Sequence, residues 1–433
     1  MTSKISLEIN FEGREFYLTP ISLEINFEEY LKRADKEGFD ASSIIMLDKV
    51  TGRAIPCQFS PADDEKIRGT ISWIHPSYAH KEVEIIVEKN KRRIYRFPRG
   101  VEIWDRGDYQ LEVFVNGVHV TNYVYNDAYE RPFLYPVIGP DGLNVVRHIP
   151  NFGDHPHHKG ISIALGDVSG KRGEPGIDFW GLGTIGDPKQ GRVIHQKFTK
   201  LEQGHVFARI QEENIWRQND ELEQTHSNAL AHMLVQDRDR WKIKTEGNVL
   251  MKETRIITIW NVSPMRIIDI RTIMRPAVDE VILNADVEKK DRAKENGPLT
   301  IRVADTMRGI MGGMIVNSEG GRTEKECWGR RARWVDYHGP VAPGGPINGI
   351  ATMDHPSNVR HPTAWHVRDY GLFAANPFYS KKPEWPDQGP IYLSKGDKLD
   401  MRYRIYIHRG DEKEGRVEEK WQEWANPPKV IIQ

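Results

Sequence analysis

VFVNGVHV, residues 113–120, is the stretch that decides the fold. Val113, Phe114 and Val115 run into Asn116-Gly117, and Val118, His119 and Val120 run out of it. A two-residue type I′ turn needs positive φ at both central positions, which Asn-Gly tolerates, so the stretch predicts a β-hairpin. Working outward, the same period of two recurs along the chain, the mark of half-buried strands. Ile5, Leu7, Ile9 and Phe11 alternate with Ser6, Glu8 and Asn10, and Met401, Tyr403, Ile405 and Ile407 alternate with Arg402, Arg404 and Tyr406. Val83, Ile85 and Val87 alternate with Glu82, Glu84 and Ile86, and further strand-like runs cover 256–260, 265–273, 280–285 and 299–304. Helices are few: one over 27–36, and a C-terminal one over 411–426 that buries Val417, Trp421 and Trp424 and stops at Pro427-Pro428. The expectation is an all-β chain.

The charged, irregular segment 89–93 is the best boundary. It divides a small β-rich domain over 1–94 from a larger β-region over 95–433, with glycine-rich loops at 166–186, 309–321 and 339–349. Loops carried on a rigid sheet are where binding groups usually sit. ISLEINFE occurs at 5–12 and again at 21–28, a local duplication that can supply two similar strands and implies no function.

Composition limits the partners. A net charge of −1 gives no global field for a polyanion, so nucleic acid is not expected, and it leaves little repulsion between copies, so a homo-oligomer is compatible. Two cysteines, Cys57 and Cys327, exclude a disulfide scaffold and a four-cysteine zinc site. No run of 18 apolar residues occurs, and MTSKISLEINFEGREF has no apolar signal core, so no membrane partner and a cytoplasmic location are expected.

Eight of the 16 histidines fall in two windows, His148, His155, His157 and His158, then His338, His355, His361 and His366, which is where chemistry is expected. The first follows Arg147 and reads NFGDHPHHKG, 151–160, continuing through GIDFW, 176–180, to GRVIH, 191–195. It carries Asp154, His155, His157, His158, Asp178, Trp180 and His195 on consecutive turns. Such imidazoles suit acid–base work or metal ligation, or else they tie loops to backbone carbonyls. No zincin spacing is present, so a divalent metal on Asp154, His155, His157, His158 or His195 is only a third reading, and no cofactor is expected. The second window, DHPSNVRHPTAWHVRDYGLFAANPF, 354–378, holds His355, Asn358, His361, Trp365, His366, Arg368 and Asn376. An aromatic plate beside Asn, Arg and His suits a sugar, although a self-satisfied hairpin would need the same groups. Arg302 and Asp305, in IRVADTMR, face opposite ways on a regular strand, and one of them can reach a cleft. WGRRARWVDY, 328–337, mixes basic and aromatic residues but reads as a solvated strand in a neutral chain. P-loop, nucleophile-elbow and dinucleotide-binding signatures are absent.

DHPHHKG, GIDFW, DHPSNVRHPTAWHVR and YGLFAANPF resemble the bacterial and archaeal family often labelled "methane oxygenase PmoA", otherwise a domain of unknown function. The resemblance covers roughly 95–410, and IPCQ, 55–58, with ISW, 71–73, is similar to the family's leading β-domain. Members usually carry Arg where Lys159 stands and Pro where Val359 stands. The oxygenase label does not fit a chain without a spanning segment. The resemblance implies instead a large antiparallel β-supersandwich, similar to galactose mutarotase and to several lyases and glycoside hydrolases, preceded by a small β-sandwich. The function expected is acid–base chemistry on a sugar or oligosaccharide: glycosidic cleavage, β-elimination or epimerisation. His158 and His366 would move protons, Asp178 would orient or act as base, and His157 and His355 would polarise oxygens. Arg147, His195, Arg302, Asp305, Asn358, His361, Arg368 and Asn376 would hold the substrate, with Trp180 or Trp365 stacked on it. The rival readings are a sugar-binding protein without turnover and a His-ligated metal enzyme.

Overall fold

The computed structural model describes residues 2–31, 36, 39–62, 66–76, 80–88, 99–151, 153–184, 187–219, 248–284, 297–378 and 389–433. Two eight-stranded antiparallel sheets face each other and make the supersandwich. The front sheet runs Ala364–Val367, Leu372–Asn376, Leu299–Arg302, Ile161–Ile163, Phe133–Val137, Val118–Val124, Gln110–Val115 and Val101–Asp105. The back sheet runs Gly191–Glu202, Phe207–Gln218, Val249–Trp260, Arg266–Pro276, Leu399–Arg409, Ile347–Asp354, Trp334–Pro340 and Met314–Asn317.

The hairpin at Asn116-Gly117 forms with φ of 53° and 79°, joining Val115 to Val118 in register. Alternation then decides what is buried. Val113, Val115, Ile161, Ile301 and Phe373 from the front sheet meet Ile210, Ile257, Ile268, Ile350 and Ile405 from the back in one continuous core. The predicted runs at 256–260, 265–273, 280–285 and 299–304 fall on Val249–Trp260, Arg266–Pro276, Glu280–Leu283 and Leu299–Arg302.

The N-terminal residues make a smaller sandwich. Its five-stranded sheet is Lys429–Ile432, Thr2–Asn10, Glu82–Glu88, Ile44–Asp48 and Ala54–Ile55, and its three-stranded sheet is Thr19–Asn26, Arg68–His75 and Cys57–Pro61. The two ISLEINFE copies lie in opposite sheets, and Ile5, Leu7 and Ile9 meet Ile21 and Ile25 in one core. The extreme C-terminus returns to this sandwich, with Leu7 opposite Ile432 and Ile9 opposite Val430. The boundary segment 89–93 lies outside the described residues. Of the helix read over 27–36, Phe27–Glu29 is a 3-10 turn, and most of the rest is not described. The C-terminal helix spans Val417–Ala425, with Val417 and Trp421 buried against the back sheet.

Candidate active site

The front sheet has a second, polar face. Ile161, Leu299, Ile301, Phe373, Ala375, Trp365 and Val367 point into the core, so the residues between them point away from it. Ser162, Thr300, Ala374 and His366 are successive register partners across four strands on that outer face. Arg302 pairs with Leu372 in the next row, and the Arg368 N–H donates to the Leu372 carbonyl. Ser162, Thr300, Arg302, His366 and Asn376 are all buried, an unusual set of polar groups for a sheet face away from water.

The loop 154–160 covers this face. Gly160 allows the approach: a Cβ there would lie 2.0 Å from the Leu134 carbonyl oxygen, and its φ is +43°. Arg147 donates to Asp154 through its backbone oxygen and through Oδ1, both at 2.7 Å, and Arg302 donates to Asp154 Oδ2 at 3.0 Å. Asp305 adds a looser ion pair to Arg147 at 4.0 Å. Burial pulls the Asp154 carboxyl upward, but the His155 hydrogen bond and the Arg302 and Arg147 charges outweigh it and hold it below the usual range.

His158 accepts from Arg302 through Nδ1 at 3.4 Å. Arginine can only donate, so this contact fixes a neutral imidazole with its proton on Nε2. Burial, then the neighbouring His157 and His155, then Arg302 and Arg131 all push His158 far below the ordinary imidazole range. Burial and the charges of Arg131, His155, Lys159 and Arg302 push His157 down to about 3. The rings pack closely: His157 meets His158 edge-on at 4.3 Å, and His155 lies parallel to His158 at 4.7 Å. This stacking is the arrangement of packed rings. Among the described residues, His155, His157 and His158 do not gather three ligand atoms around one point.

Tyr370 joins the two windows. Its ring stacks on His155 at 5.0 Å, with Arg302 at 4.7 Å and Arg368 at 5.3 Å from its centroid. Arg368 also lies 5.0 Å from the Trp328 ring and pairs with Glu324, and Trp328 meets His366 at 6.1 Å. His157, His158, Arg147, Arg302, Asp305, Arg368 and His366 thus belong to one neighbourhood. It reaches solvent through Asp154 and Asp305, each 47% exposed, and through His155 at 41%.

Other predicted residues have different places. Trp365 is fully buried in the core, and its indole N–H donates to the Ala332 carbonyl. It therefore cannot be a sugar plate, because alternation sends it to the opposite face from His366. Trp180 is buried too, packed on Ala164, Leu372 and Ala374, so it is a floor of the polar face rather than an exposed plate. Asp178 accepts from the Trp180 and Gly181 N–H groups and so shapes the turn that places Trp180. Asn376 accepts from the Phe378 N–H.

His195 lies apart, bonded to Glu212 at 2.6 Å and packed on Tyr125 and Phe198. His355, Asn358 and His361 form another group beneath the C-terminal helix. Asp354 accepts from Asn358, from Nδ1 of His361 and from the Thr363 N–H, and His361 stacks on Trp421. His355 bonds Ser357 and packs on Trp424, and burial with the Arg402 charge lowers it to about 4. These positions do not converge with the first window.

Arg131 escaped the sequence reading. Its guanidinium is buried and donates to the carbonyls of His157, Phe179, Trp180 and Gly181, clamping both loops of the first window. Lys159 donates to both oxygens of the neighbouring Glu130. A charged pair ahead of a strand, Glu130-Arg131, was the only available signal.

A cleft of about 590 Å³ lies beside the strand Ala364–Val367, lined by Arg330, Arg331, Arg333 and His361 among others. His361 is already bonded to Asp354 there.

No curated protein matches the chain. A glycosyl hydrolase family 38 protein from Enterococcus faecalis aligns with TM-score 0.44 and 11% identity, over 100% of this chain and 47% of that one. An alpha-mannosidase from Enterococcus faecalis V583 gives 0.44 and 11%, over 100% and 46%. A 4-alpha-glucanotransferase from Thermococcus litoralis gives 0.24 and 8%, over 72% and 40%. The chain therefore spans less than half the length of these proteins. No helix among the described residues is long and apolar enough to cross a membrane. Residues 110–422, which include both histidine windows and the whole polar sheet face, match the model of DUF6807, and the chain belongs to that family of unknown function.

Proposed function

We propose that the chain is a carbohydrate-active enzyme that performs acid–base chemistry on a sugar carrying a carboxylate. One observation carries this reading. Arg302 Nε and Thr300 Oγ1 are buried polar atoms on the outer sheet face, and neither finds a hydrogen-bond partner among the described residues. A buried donor left unmade costs about 1–3 kcal/mol, so such atoms on a face next to neutral imidazoles suit a ligand acceptor. A sugar carboxylate fits the planar guanidinium fork, which Arg147 flanks through Asp154.

The chemistry follows from the contacts. A substrate carboxylate that takes Arg302's N–H groups frees the Nδ1 lone pair of His158. The added negative charge also raises the proton affinity of His157 and His158. The imidazole then accepts a proton from the carbon next to the carboxylate, and Arg302 and Arg147 stabilise the charge that develops there. His366, on the same face, would return a proton. β-Elimination and epimerisation need this set. Glycosidic hydrolysis needs two free carboxyl groups, and both Asp154 and Asp305 are engaged by arginines.

The test is a panel of uronic, aldonic and neutral sugars incubated with the protein, with products read by mass spectrometry. Loss of water or of an alcohol, or inversion at the carbon next to the carboxylate, supports the reading. Binding without any product leaves a sugar-binding protein, and no interaction with acidic sugars overturns it.

A further inference from the structure

A second polar cluster lies where the strand Trp334–Pro340, the strand Leu399–Arg409 and the loop leading into the C-terminal helix meet. Asp336 is fully buried, and one side of its carboxylate faces Nδ1 of His338 at 2.7 Å. The other side faces Nε2 of His408 at 3.1 Å. Glu412 comes from the loop, with Oε2 3.9 Å from the same His338 nitrogen and its side chain 10% exposed.

One oxygen of this cluster has no hydrogen-bond partner among the described residues. His408 turns one nitrogen to Asp336 and the other to the Arg409 carbonyl at 3.0 Å, so neither is free to reach Glu412. The His338 Nδ1 proton goes to Asp336. Glu412 Oε2 is then left buried with no hydrogen-bond donor among the described residues, while Arg322 reaches only the other oxygen at 3.5 Å. An anionic oxygen in that position is costly unless a cation meets it.

We propose that Asp336, His338 and Glu412 hold a divalent transition-metal ion of the zinc kind, with His408 as the outer residue that orients Asp336. One ligand atom from each of the three lies within 4.8 Å of the others. Zinc bonds of about 2.0–2.2 Å set tetrahedral edges of about 3.3–3.6 Å, between the 2.7 Å and 3.9 Å seen on either side of His338 Nδ1. The metal takes the place of the His338 Nδ1 proton, gives Glu412 its missing partner, and leaves a fourth position for water. An imidazole with two carboxylates suits zinc or manganese better than calcium. The His408-to-Asp336 contact is the outer-shell bond such ligands normally carry. The ion would clip the loop ahead of Val417–Ala425 to the strand Trp334–Pro340, one in from the edge of the back sheet. It is therefore separate from the His157–His158 neighbourhood.

The experiment uses the full chain, stripped with chelator and dialysed against Zn²⁺ alone, with metal per chain read by elemental analysis. Near one ion per chain is expected, with a higher thermal midpoint than the stripped protein. Glu412→Gln, a near-surface isostere, should retain almost none, and His408→Gln should bind about 10–100-fold more weakly. A His155→Ala/His157→Ala variant should still hold one ion. The proposal is overturned if wild type binds no zinc, if Glu412→Gln binds as well as wild type, or if the loss follows His155 and His157 instead.

Discussion

Arg302 donates to Nδ1 of His158 across 3.4 Å, and the Arg302 side chain has no exposed surface. That contact keeps a histidine neutral inside a group of cations and links the motif DHPHHKG to the strand Leu299–Arg302. The proposed chemistry starts from it, because the same guanidinium is the group that would meet an anionic substrate.

Protonation should therefore destabilise the fold. His157 and His158 have folded pKa values below the unfolded value of 6.5, so below that pH the unfolded chain binds protons that the native chain refuses. Stability is fully present above about pH 6.5 and falls on acidification, with a limiting slope of about 1.4 kcal/mol per pH unit for each such group. Denaturant unfolding between pH 7 and 4.5 measures it. His158→Gln should show a shallower loss than wild type; equal slopes would contradict the assignment.

Removing the Arg131 clamp should be expensive. Arg131→Ala leaves four carbonyls without their common donor and should cost about 3–5 kcal/mol. Chemical denaturation gives the value, and a cost under about 1 kcal/mol would show that the two loops hold themselves.

Trp365 separates packing from binding. Trp365→Ala should cost about 3–5 kcal/mol through the cavity it leaves. Trp365→Phe should keep any affinity for a sugar acid within about twofold, since the side chain lies in the core. A loss of sugar binding in a folded Trp365→Phe protein would return Trp365 to the site.

How legible was this in the sequence? The hairpin at Asn116-Gly117 and the strands of period two were, because both depend on neighbours in the chain. The same period, applied to Ala364–Val367, puts Trp365 and His366 on opposite faces, so the burial of Trp365 was legible there too. Partners far along the chain were not legible. His195 is claimed by Glu212, His361 by Asp354 and Trp421, and His355 by Trp424, and nothing local distinguishes them from His158. The return of Lys429–Ile432 to the strand Thr2–Asn10 is likewise a matter of topology, not of pattern.

Calorimetric titration of a uronic acid and its neutral parent sugar into wild type and Arg302→Lys tests the central claim most directly. Lysine keeps the charge but loses the two-pronged donor, so folding can be checked and binding read separately. The account predicts that the acid binds, that the neutral sugar binds at least tenfold more weakly, and that Arg302→Lys loses most of this preference. Equal binding of both sugars, or an acid affinity unchanged in a folded Arg302→Lys protein, would contradict it.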